Sequence, residues 1–220
     1  MSPHFYPDDV EEKEIYDGPE WPEYFYGPRF FRGHCADVLA GCYDVPLEIE
    51  KPVILDIGAN VGAFARWALK RYPNATVHCY EPEPSNFQKL SEILNGDPRT
   101  RQNNCAIGAS RGKVSLSFDN RINCGEFFCV KGDDVTMLDA NEIPEAEIIK
   151  LDTEGCEPEI LTRLSYCKRL TRTKAIMLEW HNGGHVPYLI VLLRSNGFDV
   201  HSCEQAPYSV HRGILKFLRK

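Results

Sequence analysis

Residues 53–64 read VILDIGANVGAF, and this stretch decides the fold. The apolar run at 53–55 predicts a buried strand, the glycines at 58 and 62 predict a turn, and the pattern from residue 61 predicts a helix. A strand, a glycine turn and a helix N-terminus in this order form the usual cradle for a nucleotide-like cofactor. The stretch therefore predicts the first unit of an α/β sheet, with a cofactor loop at the end of its first strand.

The glycine spacing and the acid before it indicate which cofactor this loop holds. Dinucleotide sites use G-x-G-x-x-G to bring backbone amides against a pyrophosphate, whereas here the spacing is G-x-x-x-G. Asp56 stands two residues before Gly58, and its carboxylate would repel a pyrophosphate by about 4 kcal/mol at roughly 4 Å and an effective dielectric near 20. The same carboxylate suits the ammonium and sulfonium groups of S-adenosylmethionine. We expect that cofactor, and the alternative is a strand and turn with no ligand.

Length and composition predict one folded core. The chain has 220 residues, of which 43% are apolar, enough for a single domain. Residues 1–45 are rich in proline and aromatic side chains, so we expect an N-terminal extension with a short helix near 33–43, either docked on the domain or forming part of a substrate mouth. Residues 46–220 then form the cofactor-binding domain.

Charge and cysteine usage narrow the class of protein. The net charge is -7 and the pI is about 5.5, which argues against nucleic acid as a partner. The sequence contains neither an apolar segment of the length that spans a bilayer nor a signal-like N-terminus. Its nine cysteines form no C-x-x-C pair, as in a protein with reduced thiols. We expect a cytoplasmic protein without a membrane span.

Strand and helix patterns alternate from residue 53 onward. This alternation predicts a Rossmann-like, mostly parallel seven-stranded sheet with helices on both faces. The clean alternation at 112–118 predicts a small antiparallel insertion near 112–130, and the last two strands form a hairpin. The predicted strands lie near 53–57, 75–80, 101–107, 146–151, 175–179, 198–203 and 212–218, and the predicted helices near 61–71, 84–94, 156–166 and 186–195.

Four acids each end an apolar run: Asp56, Glu81, Asp152 and Glu179. Because ligands of parallel sheets bind beyond the carboxyl ends of the strands, these acids predict a ring of carboxylates around one crevice. Glu81 follows Gly58 by about the 20 positions expected of an acid that binds a ribose diol. The predicted cofactor contacts are Asp56, Gly58, Asn60, Gly62, Glu81, Pro82, Asn104, Ala106 and Asp152, with Asn104 and Ala106 meeting the adenine.

At this point the motifs resemble the FkbM-type methyltransferases. The resemblance covers about residues 50–200 and rests most specifically on K-x-D-x-E-G-x-E at 150–157, together with Glu81-Pro82 and Glu179-x-His181. It implies a class I, S-adenosylmethionine-dependent fold and O-methylation of a hydroxyl on a sugar, glycan or small metabolite. It further implies that Asp152, Glu154 and Glu157 belong to the block beside the transferring methyl.

Methylation of a hydroxyl requires removal of its proton. We hypothesise that His181 or Asp152 is the base and that Glu154 and Glu179 orient the acceptor. A competing hypothesis, which we do not favour, has Asp152, Glu179 and Asn182 holding a divalent cation that lowers the acceptor's pKa.

Two other functions remain open at this point. A NAD-dependent oxidoreductase is disfavoured by Asp56 and the glycine spacing. A catalytically inert module that binds S-adenosylmethionine or a partner would not need the acids of 152–157. The sequence does not predict the acceptor's identity or the oligomeric state.

Overall fold

The structure is a computed structural model that describes residues 37–118, 127–131, 134–205 and 212–220. The strands are β1 (Val53–Ile57), β2 (Thr76–Tyr80), β3 (Thr100–Asn103), β4 (Ala106–Gly108), β5 (Gly112–Phe118), β6 (Phe127–Lys131), β7 (Val135–Asp139), β8 (Ile148–Leu151), β9 (Ala175–Trp180), β10 (Phe198–Gln205) and β11 (Gly213–Arg219). The helices are α1 (Ala63–Arg71), α2 (Pro84–Leu94), α3 (Glu157–Tyr166) and α4 (Val186–Ser195).

The main sheet has seven strands in the order β10-β11-β9-β8-β1-β2-β3. The strands from β9 to β3 run parallel to one another, while β11 is antiparallel to both β9 and β10. Because the central strands are parallel, the carboxyl ends of β1, β2, β8 and β9 lie at one edge. The predicted fold class, with its closing hairpin, is confirmed.

Successive residues of each strand point to opposite faces of this sheet, and both faces are buried. Ile54 packs with Phe64 and Leu90, from α1 and α2, in one core cluster. Leu55 belongs to a second cluster, which includes Ile160 of α3 and further residues of α4. Helices therefore cover the sheet on both sides.

Local signals at α2 show why its boundaries match the prediction. The Glu83 side chain caps the helix by accepting from the Asn86 N–H, and Pro84 occupies the first turn, where it removes only a surplus donor. The helix ends at Asn95, whose φ of 40° lies in the left-handed region. This helix begins three residues after Glu81, the acid that follows β2.

The predicted third strand at 101–107 is wrong, because the chain there forms two strands in different sheets. Strand β3 pairs with β2, but β4 pairs with β7 in a second sheet ordered β4-β7-β5-β6. Between them, the Asn104 carboxamide donates to the backbone oxygens of Glu81 and Pro82, which turns the chain away from the main sheet. The insertion is consequently larger than predicted, although its pairing of β5 with β6 is antiparallel as expected.

Residues just after position 36 pack against the domain. Val38, Tyr43 and Val45 are buried in the cluster that contains Phe64, and the Tyr43 ring meets Phe64 edge-on at 5.7 Å. Of the predicted short helix at 33–43, residues 37–39 are helical and residues 40–43 form turns, while residues 1–36 of the predicted extension lie outside the described residues. None of the helices in the described part of the chain combines the length and apolar character needed to cross a membrane.

Candidate active site

The glycine loop after β1 is held by the end of β2. The N–H groups of Gly58 and Ala59 both donate to the Tyr80 carbonyl at 3.0 Å. Gly58, Asn60 and Gly62 all have φ values between 49° and 88°, in the left-handed region. A Cβ on Gly58 would lie 1.7 Å from the Asp152 backbone oxygen. Glycine is thus required at position 58 because the loop after β1 presses on the loop after β8.

Glu81 sits at the end of β2, and its carboxylate organises the same loop. Its side chain accepts from the Asn60 N–H at 2.7 Å and from the Glu83 N–H at 2.9 Å. The residue is only 6% exposed. Burial raises the pKa of Glu81 to about 7, although its two backbone hydrogen bonds oppose that rise. Each carboxylate oxygen holds one backbone donor and has capacity for another.

The other predicted cofactor residues at this end of the sheet lie close to Glu81 in the chain or in space. Asn104 donates to the Glu81 and Pro82 carbonyls at 2.8 and 3.1 Å, so its carboxamide nitrogen holds the turn that follows β3. Ala106 begins β4 and is buried against the second sheet. Contact of Pro82, Asn104 and Ala106 with an adenine stays a prediction.

Lys150 connects the glycine loop to the acids of β1 and β8. Its ammonium donates to the Gly58 carbonyl at 2.6 Å and lies 3.3 Å from Asp56 and 3.5 Å from Asp152. Burial alone would lower the pKa of Lys150, but the charges of Asp56 and Asp152 outweigh it and raise that pKa. Asp56 itself is 0% exposed, and the cation beside its buried carboxylate is the Lys150 ammonium.

Asp152, Glu154, Glu179 and His181 converge at the ends of β8 and β9. The His181 Nε2 atom lies 3.3 Å from Glu154, 3.6 Å from Asp152 and 3.9 Å from Glu179. We call these four residues the acid cluster. All four predicted catalytic residues are therefore brought together in the fold, and their roles remain predictions.

Glu157 fixes the ring of His181 from the other side. Its Oε1 atom lies 3.2 Å from His181 Nδ1 and accepts from the N–H groups of Thr153 and Gly155 at 2.9 and 3.2 Å. Because Glu157 is buried at the start of α3, it holds the imidazole with Nε2 toward the three carboxylates of the acid cluster. Glu154 and Gly155, in the loop that Glu157 organises, both have positive φ.

The carboxylates control the charge of His181. Burial alone would lower the pKa of His181, but the Glu157 hydrogen bond and the charges of Glu154 and Asp152 raise it to about 10. Without another cation, the imidazole consequently carries a proton at neutral pH. The cluster then consists of carboxylates around an imidazolium.

The conditional metal set predicted from sequence, Asp152, Glu179 and Asn182, is not the set that the fold brings closest. Ligand atoms of Asp152, Glu154 and His181 all lie within 4.8 Å of one another. The Asn182 side-chain oxygen instead accepts from the Gly184 N–H at 2.9 Å, capping a short 3-10 turn.

Sequence reasoning missed three residues around the site. Lys150 stands in an otherwise apolar strand, and a lysine there requires a buried anion, which is a signal the sequence does carry. Tyr43 is buried with its ring 5.8 Å from the Lys150 ammonium, and Arg212 lies 3.5 Å from Glu154. Their proximity depends on tertiary packing, so residue spacing alone does not show it.

Comparisons with known proteins agree with this geometry. No protein-family model matches the chain. The 2-O-methyltransferase NoeI of Sinorhizobium fredii is 24% identical over 199 residues, covering 77% of this chain and 80% of that protein. The hexuronic acid methyltransferase AglP of Haloferax volcanii is 25% identical over 146 residues, covering 61% of this chain and 58% of that protein.

A solved structure supports the same assignment of the fold. The methyltransferase FkbM from Methylobacillus flagellatus superimposes with a TM-score of 0.59 at 15% identity, over 78% of this chain and 45% of that one. The chain thus spans less than half of that protein, and the likeness concerns the fold. Taken together, the sequence relatives and this structure show that the chain is similar to methyltransferases of the FkbM type and has their Rossmann-like fold.

Proposed function

We propose that this methyltransferase transfers the methyl group of S-adenosylmethionine to a hydroxyl oxygen of a sugar or another small polyol. The observation that carries the proposal is the acid cluster at the ends of β8 and β9. It lies one side chain, Lys150, away from the glycine loop. A site that can remove a proton therefore adjoins the loop assigned to the methyl donor.

The residues of the donor side fit S-adenosylmethionine, which the methyltransferase relatives imply. Glu81 ends β2 as a buried carboxylate whose two oxygens each keep acceptor capacity, as recognition of a ribose diol requires. Gly58, Asn60 and Gly62 take left-handed φ values, and the two glycines have no side chain that would keep a ligand away from the backbone. When bound, the cofactor supplies a methyl carbon already activated by the sulfonium.

On the acceptor side, the chain's own residues position the hydroxyl and take its proton. Because His181 already holds a proton at neutral pH, we assign proton removal to a carboxylate of the acid cluster. Asp152, at the end of β8, is the first choice, while Glu154, Glu179 and the imidazolium orient the acceptor. Several carboxylates side by side accept hydrogen bonds from neighbouring hydroxyls, which favours a polyol over an amide or a purine amine.

The relatives favour the same class of acceptor. One is named for hexuronic acid methylation and another for 2-O-methylation. Since the identities are about a quarter, they guide the choice of acceptors rather than fix it. Hexuronic acids and neutral hexoses, free and as short glycans, are the first set to assay.

The test measures S-adenosylhomocysteine release with each acceptor, for the wild-type chain and for Asp152→Asn. We expect turnover with at least one sugar and a loss of about 100-fold or more in the variant, the range typical of removing a general base. Calorimetry with S-adenosylhomocysteine and with NAD accompanies the assay. Binding of NAD alone would favour an oxidoreductase, and cofactor binding without turnover on any hydroxyl would favour an inert module.

A further inference from the structure

Three potential metal ligands come from two neighbouring strand ends. Asp152 and Glu154 follow β8, and His181 follows β9, its partner in the sheet. One carboxylate oxygen from each acid and a ring nitrogen of His181 lie within 4.8 Å of one another. Two atoms that each bind one ion at about 2.2 Å are at most about 4.4 Å apart, and the distances of His181 Nε2 to the Glu154 and Asp152 oxygens, 3.3 and 3.6 Å, lie within that limit.

The imidazole provides independent evidence for a ligand at this point. The His181 side chain is only 7% exposed, and among the described residues its Nε2 has no hydrogen-bond partner. This nitrogen faces the Glu154 and Asp152 oxygens at 3.3 and 3.6 Å. A buried polar atom aimed at two carboxylates but hydrogen-bonded to neither is a group whose partner has yet to be supplied.

The opposite nitrogen of the ring is already fixed by a carboxylate. His181 Nδ1 lies 3.2 Å from Glu157 Oε1, which also holds the Thr153 and Gly155 N–H groups. Histidine ligands of metals almost always carry such an outer carboxylate, which sets the tautomer and leaves Nε2 to bind the ion. The Glu157–His181 pair has this arrangement before any ion is considered.

We propose that Asp152, Glu154 and His181 form a binding site for one divalent cation with mixed nitrogen and oxygen preference, of which Mn²⁺ is the representative. Two carboxylates and one imidazole leave open coordination positions on such an ion. An imidazole ligand favours a transition metal over Mg²⁺ or Ca²⁺, which prefer oxygen alone. This set differs from the conditional set named from the sequence, in which Glu179 and Asn182 stood in place of Glu154 and His181.

The site deepens the proposed function and rests on it for its chemical role. A hydroxyl oxygen of the acceptor would occupy an open position of the ion, which lowers the pKa of that hydroxyl. With Asp152 and a neutral His181 bound to the ion, Glu179, 3.9 Å from His181 Nε2, would take over from Asp152 as the carboxylate that receives the proton. The binding site itself can be tested without turnover.

The experiment uses the full chain stripped with a chelator and then titrated with Mn²⁺ alone. Electron paramagnetic resonance counts bound Mn²⁺, and pulsed measurements detect coupling to a ¹⁴N nucleus of an imidazole ligand. We expect one saturable site with nitrogen coupling. His181→Ala should remove the coupling and weaken Mn²⁺ binding by at least about tenfold, while Glu159→Gln, an exposed acid on α3, should leave both unchanged.

The pulsed measurement on the wild-type chain needs no variant, so misfolding of His181→Ala does not affect the decision. The absence of a saturable site, or saturable Mn²⁺ without nitrogen coupling, overturns the inference. Failure to methylate any hydroxyl while Mn²⁺ binds with nitrogen coupling would instead overturn the proposed function and leave the metal site standing.

Discussion

Replacing Glu81 with glutamine tests the assignment of the donor site with a change of only one atom's chemistry. Both carboxylate oxygens are acceptors in the structure, one for the Asn60 N–H and the other for the Glu83 N–H. Glutamine has a single oxygen, so its NH₂ group must face one of these two donors. The substitution therefore changes two quantities that are measured separately, the free energy of folding and the free energy of binding a ribose.

The magnitudes follow from these contacts. A buried N–H left without an acceptor costs about 1–3 kcal/mol of folding free energy. Loss of a charge-assisted hydrogen bond to a ribose hydroxyl costs about 1.5–3 kcal/mol of binding free energy, or roughly 10- to 150-fold in Kd. We expect both losses in Glu81→Gln.

The assay is calorimetric titration with S-adenosylhomocysteine, with urea unfolding of the same samples. Glu83→Gln is the matched control, because it lies two residues away and its Oε2 alone accepts from the Asn86 N–H and the Ser85 hydroxyl. A glutamine oxygen can keep both of those bonds. The control should hold its affinity and most of its stability.

The raised pKa of Glu81 adds a pH signature. With a pKa of about 7 in the folded chain, the carboxylate is mostly protonated at pH 6 and ionised at pH 8, so wild-type affinity should rise about tenfold across that interval. The folded state binds the proton more tightly than the unfolded one, so this group's contribution to stability is present below its ordinary pKa of 4.5 and is lost as the pH rises through 7. In Glu81→Gln both dependences should disappear. An affinity within twofold of wild type in a folded variant, with its pH slope intact, would refute the assignment of Glu81 to the ribose.

Three further changes test the packing beneath the site. Gly58→Ala places a Cβ 1.7 Å from a backbone oxygen and should lower the free energy of unfolding in urea by more than about 3 kcal/mol. The control Gly155→Ala, at φ 105° and with nothing within 4 Å of the new Cβ among the described residues, should cost only about 1–2 kcal/mol. Equal losses would contradict the close approach of the two loops. Lys150→Met leaves the fully buried Asp56 without the neighbouring lysine ammonium and should destabilise the fold by about 3–5 kcal/mol. Adding Asp56→Asn should recover part of that loss. Purely additive losses in this double-mutant cycle would contradict an interaction between the two side chains. Arg219→Ala removes donors to three backbone carbonyls and should lower the unfolding free energy by about 2–4 kcal/mol without changing the affinity for S-adenosylhomocysteine. A changed affinity would contradict a purely structural role for Arg219.

The sheet was predictable because its signals are local. A strand, a turn and a helix can be predicted from a dozen residues, which contain the apolar run before Asp56, the glycines at 58 and 62 and the start of the helical pattern. The acids that end the strands were also readable, since parallel strands bring their carboxyl ends to one edge. The approach of Asp152 and Glu179 to His181 follows from that rule.

The break between β3 and β4 could not be read in the same way. Residues 100–108 look like one extended run, and only the Asn104 contacts with the carbonyls of Glu81 and Pro82 show where the chain leaves the sheet. The clamp on His181 by Glu157 likewise depends on a distance across the fold, whereas the cap that Asn182 gives Gly184 is a local contact. Pattern and spacing locate residues on elements, but they do not give the orientation of a ring.

Lys150 makes the two halves of the site mechanically and electrically continuous. One ammonium shares its charge among the Gly58 carbonyl, the Asp56 carboxylate and the Asp152 carboxylate. If donor and acceptor bind as proposed, each contacts a group that Lys150 holds. We therefore expect the two affinities to be coupled, so that affinities measured one at a time do not add to the affinity of the ternary complex.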